Sequence, residues 1–166
     1  MKQSLKELSV DELPIVREWR NHSEIRKYMF SQSTVNTEEH KSWYERANKN
    51  ADRKLLIYNE NELKKGFIQF APVNESKHIT EWGFYVAPDS EKGTGGRMLK
   101  YSLDYAFDVL DVHKVFAEVL EFNYSSIKLH NRLGFVQEGN LREQYFDGDQ
   151  FHNVVCFGLI KSERKL

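Results

Sequence analysis

Three glycines stand between a strand and a long amphipathic helix, in the segment "APDSEKGTGGRMLKYSLDYAF". They are Gly93, Gly95 and Gly96, and Lys92 and Arg97 flank them. The helix is predicted from apolar side chains that recur at helical spacing: Leu99, Leu103, Ala106, Phe107 and Leu110. N–H groups at a helix N-terminus have no partner inside the helix, and the helix dipole is positive there. The turn therefore predicts an anion site; the alternative is a helix entered through a flexible loop.

The turn differs from the two common glycine-rich nucleotide loops. A P-loop requires Lys and then Ser or Thr directly after its last glycine, whereas Arg97 and Met98 follow here. A dinucleotide loop that starts at Gly93 requires its third glycine at Met98 and should open a βαβ unit. Here the turn follows a meander of strands, so both loops are excluded.

The order of predicted elements indicates an α+β chain. The segments "RKLLIYN", "LKKGFIQFAPV" and "HITEWGFYVAP" are separated by short polar turns, which is typical of an antiparallel meander. Before them come a weak strand, "SLKELSV", a helix capped by Asp11 that runs through Trp19, and a helix capped by Asn36 or Thr37. After the glycine helix, the pattern predicts a strand, a short helix ending at Gly134, and two strands joined by "FDGDQF". We expect helices packed on a mixed sheet.

Composition narrows the classes of partner. The chain has 166 residues, a net charge of −1 and 40% hydrophobic residues, so we expect a single domain of residues 1–166 and no nucleic-acid or membrane partner. The N-terminus has no apolar signal region, which predicts a cytoplasmic protein. Cys156 lies in the apolar run "VVCFGLI" and is expected in the core. The histidines show no ligand spacing, so no metal is expected.

Two ordered motifs resemble those of the GNAT superfamily of N-acetyltransferases, over residues 5–160. They are "EKGTGGRML", after the strand "TEWGFYV", and "EVLEFNYSSIKLHNRLGFVQEG". Gly93 and Gly95 match the family loop Gln/Arg-x-x-Gly-x-Gly/Ala, whereas Ser90 stands in place of Gln or Arg. The second family motif is matched by Asn123, Ser126, Leu129, Gly134 and Phe135. His130 replaces the family tyrosine.

This resemblance implies a mixed, mostly antiparallel sheet of about seven strands, flanked by helices, with two central parallel strands that splay apart. It also implies that acetyl-CoA is the co-substrate and lies in that cleft. The implied cofactor-binding residues lie on one strand, in the glycine turn and near the second motif: Phe84, Tyr85, Val86, Lys92, Gly93, Thr94, Gly95, Gly96, Arg97, Asn123 and Ser126. The strand would pair its backbone with the pantetheine amides, and the turn would hold the pyrophosphate.

Acetyl transfer to an amine requires a base for the ammonium and an acid for the leaving thiolate. Glu81 is the candidate base, acting through a water; the alternative is a solvated carboxylate. His130 is the candidate acid, and the alternative is a satisfied histidine on an amphipathic helix, with Ser126 or solvent as the donor. Asn123 is expected to bond the cofactor beside the thioester.

The acceptor is predicted from "VREWRNHSEIRKYMF" and "EEHKSWYER", which resemble the subgroup acting on nucleotide-linked amino sugars of pseudaminic acid biosynthesis. They resemble more loosely enzymes that act on ribosomal-protein N-termini or polyamines. The candidate acceptor residues are aromatic or polar: Arg20, Asn21, Met29, His40, Trp43 and Trp82. A polyamine site should be lined with acids, whereas Arg20, Arg26, Lys27 and Lys41 lie in this region.

The expected activity is therefore acetylation of a UDP-linked 4-amino-dideoxy sugar, of the UDP-4-amino-4,6-dideoxy-N-acetyl-altrosamine type. A hypothesis of another class is a sensor module that binds acyl-CoA without turnover. Glu81, Asn123 and His130 together favour an enzyme. The sequence leaves open whether "FHNVVCFGLI" pairs between the subunits of a homodimer.

Overall fold

The computed structural model describes residues 1–165, one residue short of the predicted domain of residues 1–166. The strands are β1 (Gln3–Glu7), β2 (Lys54–Glu60), β3 (Leu63–Pro72), β4 (Ile79–Val86), β5 (Lys114–Leu120), β6 (Val136–Phe146) and β7 (Phe151–Ile160). The helices are α1 (Leu13–Asn21), α2 (Ser23–Arg26), α3 (Thr37–Asn48), α4 (Thr94–Asp104) and α5 (Tyr124–Arg132). The predicted α+β class with seven strands is confirmed.

The helix starts follow their capping residues with one difference from the prediction. Asn36 caps α3, because its Oδ1 accepts the N–H of Glu39 at 2.9 Å, and the Glu39 carboxylate accepts the N–H of Asn36 at 2.8 Å. Asp11 does not cap α1. It lies inside a 3-10 turn, Val10–Glu12, which Ser9 and Glu12 close by a 3.0 Å bond from the Ser9 N–H to the Glu12 carboxylate.

The sheet has the order β1-β2-β3-β4-β5-β7-β6 and a core on each face. On one face α4 and α5 pack over a core that includes Met98, Leu99 and Phe157. On the other face α1 and α3 cover the β1–β4 half, where Trp19 and Phe67 are buried. Trp19 is therefore a core residue.

Strands β4 and β5 run parallel and part after three residue pairs. The last pair joins Glu81 to Phe116. Beyond it, β4 keeps its antiparallel partner β3 as far as the pair of Val86 with Gly66, while β5 pairs with β7 as far as Leu120. A wedge-shaped opening therefore begins beside Trp82, as the expected splayed pair requires.

Candidate functional site

The glycine turn supplies two unpartnered N–H groups at the N-terminus of α4. Gly93 has φ +94°, a left-handed conformation that glycine adopts without strain. Thr94 N donates to Glu91 O at 3.1 Å and Arg97 N donates to Gly93 O at 3.2 Å. Among the described hydrogen bonds, the N–H groups of Gly95 and Gly96 have no acceptor. These two donors, with the exposed side chain of Lys92 nearby in the chain, form the cradle expected for a phosphate group.

The side chain of Arg97 forms hydrogen bonds with other residues of the protein. Its Nε and Nη2 donate to the two carboxylate oxygens of Glu60 at 2.7 and 3.0 Å, and its Nη2 also donates to Thr94 Oγ1 at 3.0 Å. Glu60 is buried and also accepts the Tyr58 hydroxyl hydrogen at 2.8 Å. The hydrogen bond from Arg97 lowers the pKa of Glu60 below its usual range. The backbone N–H groups of Thr94 and Arg97 already have carbonyl acceptors, so in the described hydrogen bonds it is Gly95 and Gly96 that keep free N–H groups in the first turn of α4.

The edge of β4 that faces the opening has backbone N–H and C=O groups that no neighbouring strand pairs with. From Trp82 to Val86 no strand pairs with this side, since the β5 register ends at Glu81. The side chains of Phe84 and Val86 pack toward α4 and α5, whereas Tyr85 packs in the opposite core. An extended ligand rich in amides can therefore bind along this edge as another strand would.

Asn123 and Ser126 lie at the start of α5. Asn123 caps the helix, and its Oδ1 accepts the Ser126 N–H at 3.3 Å. Its amide NH₂ has no acceptor among the described hydrogen bonds. Asn123 therefore keeps the two N–H donors of its side-chain amide for a ligand next to the end of β5.

His130 has a different environment from the one expected of a general acid. It is 1% exposed, Trp82 Nε1 donates to its Nε2 at 3.1 Å, and its Nδ1 lies 2.8 Å from Ser126 O. Burial lowers the pKa of His130 below its usual value, against the opposing effect of the Ser126 carbonyl. Both nitrogens are engaged in hydrogen bonds within the protein, whereas a general acid requires an N–H that can reach the leaving thiolate. The expected contact of Trp82 with the acceptor substrate does not fit its environment, because the residue is 4% exposed and lies in the core beneath α5.

Glu81 lies at the point where β4 and β5 part, on the face opposite Trp82. Partial desolvation raises the pKa of Glu81, and the carboxylate of Glu118 raises it further. Glu118 was not identified from the sequence. It is the one exposed residue between buried Ala117 and Val119 in β5, and this alternation was the signal that could have found it.

A cavity of about 450 Å³ lies on the Glu81 face of the sheet, between the sheet, α1, α3 and the segment 27–36. Four of the expected acceptor residues line it: Arg20, Met29, His40 and Trp43. Its other lining residues come mostly from the segment 27–36, α3 and the sheet: Ser31, Ser33, Thr34, Val35, Glu39, Arg46, Phe67, Gln69 and Tyr85. Four of the residues expected at the acceptor site, which come from two separated sequence segments, thus line one cavity.

Arg20 is the most informative residue of this cavity. Its side chain is buried, with the residue 8% exposed, and its Nη2 donates to Ser31 O at 2.6 Å. Its Nη1 is buried without a hydrogen-bond partner among the described residues. A buried guanidinium group with an unused donor is costly unless a ligand accepts from it.

His40 and Trp43 form an aromatic wall, with ring centroids 5.0 Å apart and planes 20° from parallel. Burial lowers the pKa of His40, and the charges of Arg17 and Arg20 lower it further. His40 is therefore neutral near pH 7 and can accept or donate a hydrogen bond at the cavity.

Asn21 holds the cavity wall rather than facing a ligand. Its Nδ2 donates to Val35 O at 2.8 Å and its Oδ1 accepts the Val35 N–H at 2.7 Å. Arg26 adds a 3.2 Å bond from its Nη1 to Gln32 O. The expected acceptor contact of Asn21 is corrected, because its amide is used to fix the segment 27–36.

Among residues 1–165, no group of three or more His, Cys, Asp and Glu side chains is placed to hold a metal ion. No helix in the described part of the chain is long and apolar enough to span a membrane.

Known proteins share this architecture. The family profile described as acetyltransferase (GNAT) domain matches residues 4–136. The spermidine N(1)-acetyltransferase of Vibrio cholerae is 24% identical over 162 residues, which cover 96% of this chain and 94% of that protein. Acetyltransferase PseH of Campylobacter jejuni is 28% identical over 150 residues, which cover 90% of this chain and 88% of that protein. The crystal structure of the Vibrio cholerae spermidine N-acetyltransferase in complex with CoA and spermine superposes with a TM-score of 0.88 at 22% identity, over 97% of this chain and 96% of that chain.

Proposed function

The chain belongs to the acetyltransferase (GNAT) domain family, and we propose that it acetylates the 4-amino group of a UDP-linked amino-dideoxy sugar, acting as a single catalytic domain. As a family member it is an acetyl-CoA-dependent N-acetyltransferase. The choice of acceptor is the proposal. It rests on the charge of the cavity on the Glu81 face.

The residues of the opening fit acetyl-CoA, which supplies an activated acyl thioester. The free N–H groups of Gly95 and Gly96 would hold its pyrophosphate, and the unpaired edge of β4 would hold its pantetheine amides. The Asn123 amide is left to bond the ligand near the thioester. Each of these groups is an unused donor or an unpaired strand edge in the structure.

The unpartnered Nη1 of Arg20 is the observation that carries the acceptor assignment. Arg46 also lines the cavity, and the Glu39 carboxylate there already closes the cap of α3. The cavity is therefore positive and suits an anionic group such as a nucleotide diphosphate, with the stacked His40 and Trp43 rings beside it. A polyamine carries several positive charges, which Arg20 and Arg46 would repel.

The polyamine alternative keeps one supporting observation besides the spermidine enzymes among the relatives. Glu81 and Glu118 place two carboxylates beside the opening, and they would attract any ammonium group. An amino sugar has one ammonium, which suits Glu81 and Glu118, and a diphosphate, which suits Arg20 and Arg46. Spermidine suits only the two carboxylates.

Glu81 is suited to deprotonate the acceptor. Its carboxylate takes a proton from the ammonium, directly or through a water. The freed lone pair of the nitrogen then attacks the thioester carbon and forms the new amide bond, while the C–S bond breaks. The thiolate that leaves takes a proton from solvent or a nearby hydroxyl. A carboxylate with a raised pKa is a stronger base than an ordinary one. Glu81 therefore has both the position and the basicity for this step.

A thiol-release assay with acetyl-CoA and an amine panel tests the proposal. The panel contains a UDP-linked 4-amino-4,6-dideoxyhexose, spermidine and a peptide N-terminus. We expect kcat/KM to be highest for the sugar, and Arg20→Gln to raise its KM roughly tenfold, about what is lost with one charged hydrogen bond. Arg132→Gln, an exposed arginine on α5, is the matched control and should leave this KM unchanged. A higher kcat/KM for spermidine would overturn the acceptor assignment and leave the acetyltransferase activity standing.

A further inference from the structure

We infer that His130 is a positioning residue, a neutral imidazole that joins α5 to β4 through Trp82 at the base of the opening and thereby fixes where the two strands part. The inference concerns acetyl transfer itself and does not depend on which amine is the acceptor.

The hydrogen bonds fix the tautomer of His130. An indole N–H can only donate, so His130 Nε2, at 3.1 Å from Trp82 Nε1, must be the unprotonated nitrogen. The proton is therefore on Nδ1, which donates to Ser126 O at 2.8 Å. Protonation of Nε2 would set two N–H groups against each other and break the bond to Trp82. Neither nitrogen is left to supply a proton to a thiolate.

Aromatic rings from several elements hold the imidazole in place. It stacks on Phe157 of β7, with centroids 5.2 Å apart and planes at 14°. Phe135, just after α5, meets it edge-on at 5.0 Å, and Phe84 of β4 lies 6.0 Å away. Among the described residues, no charged side chain perturbs the pKa of His130; only burial and the Ser126 carbonyl do so. The ring is therefore fixed in a dry, uncharged site.

The hydrogen bond between Trp82 and His130 lies where it can fix the relative position of β4 and α5. Trp82 is the first β4 residue after the final pair of Glu81 with Phe116, and α5 follows directly after β5. The bond therefore connects the departing part of β4 to the element that continues from β5. Glu81 precedes Trp82 on the same strand, so a shift of Trp82 also shifts the carboxylate that faces the acceptor. Misplacement of a reacting group by about 1 Å can cost on the order of 10²-fold in rate.

A double-mutant cycle on kcat separates positioning from acid catalysis. If the two side chains act as one unit, Trp82→Phe and His130→Phe should each lower kcat by about tenfold or more, and the double variant should be no worse than the poorer single variant. His78→Gln changes an exposed histidine before β4 and serves as the control; combined with Trp82→Phe it should add nothing to the loss. If Trp82→Phe keeps wild-type kcat while His130→Phe loses about 10²-fold or more, His130 is the acid and the inference is wrong.

Nitrogen NMR of the unmodified protein gives a readout that requires neither variant to fold. Between pH 6 and 8, His130 should show Nδ1 protonated and Nε2 unprotonated, both in the free protein and with CoA bound. The Trp82 indole N–H should show the shift of a hydrogen-bonded donor. A proton on Nε2 in the CoA-bound protein would overturn the inference.

Discussion

The two faces of β4 carry adjacent residues into opposite environments. Glu81 and Tyr85 point to the face that bears the cavity, whereas Trp82 and Phe84 point toward the core beneath α4 and α5. Because side chains alternate along a strand, a shift of one position changes a residue from a wall of the cavity to a member of the core. Proximity in sequence to a functional residue therefore says little about function here.

The two faces also differ in whether their functional polar groups have hydrogen-bond partners. On the core face, the polar atoms of Trp82 and His130 are paired with each other. On the cavity face, Arg20 keeps an unpaired donor and Glu81 keeps an exposed carboxylate. Buried polar groups in proteins are normally satisfied, so the unpaired donor of Arg20, which lines the cavity, indicates a place where a ligand is expected, whereas the other face has an unpaired hydroxyl, Ser102 Oγ, buried in α4. Changes on the cavity face should alter chemistry, and changes on the core face should alter geometry and stability.

Removal of the Glu81 carboxylate has the largest expected effect. Glu81→Gln should lower kcat by about 10²-fold near pH 7, and the deficit should shrink as pH rises, because a neutral amine no longer requires the base. Since the pKa of Glu81 is raised, wild-type activity should fall as pH decreases through that raised value. The measurement is kcat across pH for both proteins.

Glu118→Gln is the matched control for Glu81. It removes the neighbouring charge that raises the pKa of Glu81, so the rising limb of the pH profile should move to lower pH. If Glu81→Gln lost the same fraction of kcat at every pH, Glu81 would be a positioning residue and not the base. The two faces of β4 would then not differ in the way proposed, because residues on both would act by positioning.

A large side chain at Gly95 has the next largest expected effect, on the core face. A Cβ at this position would lie 3.4 Å from Val86 Cγ2 and 3.8 Å from Leu129, so it points into the packing between β4, α4 and α5 and not toward a bound anion. The branched methyls of Gly95→Val would push α4 from β4 and displace its free N–H groups. We expect acetyl-CoA affinity to fall about tenfold, the equivalent of one lost charged hydrogen bond, together with a lower Tm.

Calorimetry with acetyl-CoA and thermal unfolding measure both effects. Unchanged affinity in a folded Gly95→Val variant would mean that the pyrophosphate does not lie on this turn.

Much of the fold could be predicted from the sequence, because it depends on patterns that survive without tertiary information. The meander, the glycine turn and the Asn36 cap each depend on residues that are close together in the sequence. The start of α1 was missed because Ser9 and Glu12 close a 3-10 turn ahead of it, and Asp11 looks equally suitable as a cap.

The side-chain roles at the site were harder to predict, because they depend on which partner each group finds. Asn21 binds Val35 and Arg97 binds Glu60, and both partners are distant in sequence. His130 occupies the position of the family tyrosine, but its size and two nitrogens allow it to pair with Trp82. The unused N–H groups of Gly95 and Gly96 belong to the backbone and do not depend on a side-chain partner, so the glycine motif was enough to predict them.

The pH dependence of stability gives a smaller effect that also tests the core face. The folded-state pKa of His130 is lowered, so the unfolded chain binds this proton more readily. The contribution of the neutral, bonded ring is therefore fully present above the unfolded pKa of about 6.5 and is lost as pH falls below it. In urea unfolding, His130→Gln should flatten the decline between pH 6.5 and 5. A decline as steep as in the wild type would show that other groups cause it.

The smallest expected effect comes from Gly96→Ala, which adds one methyl group to the core face where there is room. The nearest atom to the added Cβ is Leu129 Cδ1 at 3.9 Å, an ordinary contact, and Gly96 lies within the first turn of α4. Replacing glycine by alanine in a helix lowers the entropy of the unfolded chain and should raise the free energy of unfolding by about 0.5–1 kcal/mol. The N–H of residue 96 is retained, so acetyl-CoA affinity measured by calorimetry should stay within about twofold of the wild-type value, a difference of less than half a kcal/mol. If stability rises as expected but affinity falls tenfold, the ligand approaches the backbone on the Cβ side of Gly96, and the cradle faces Leu129 and not the opening beside β4.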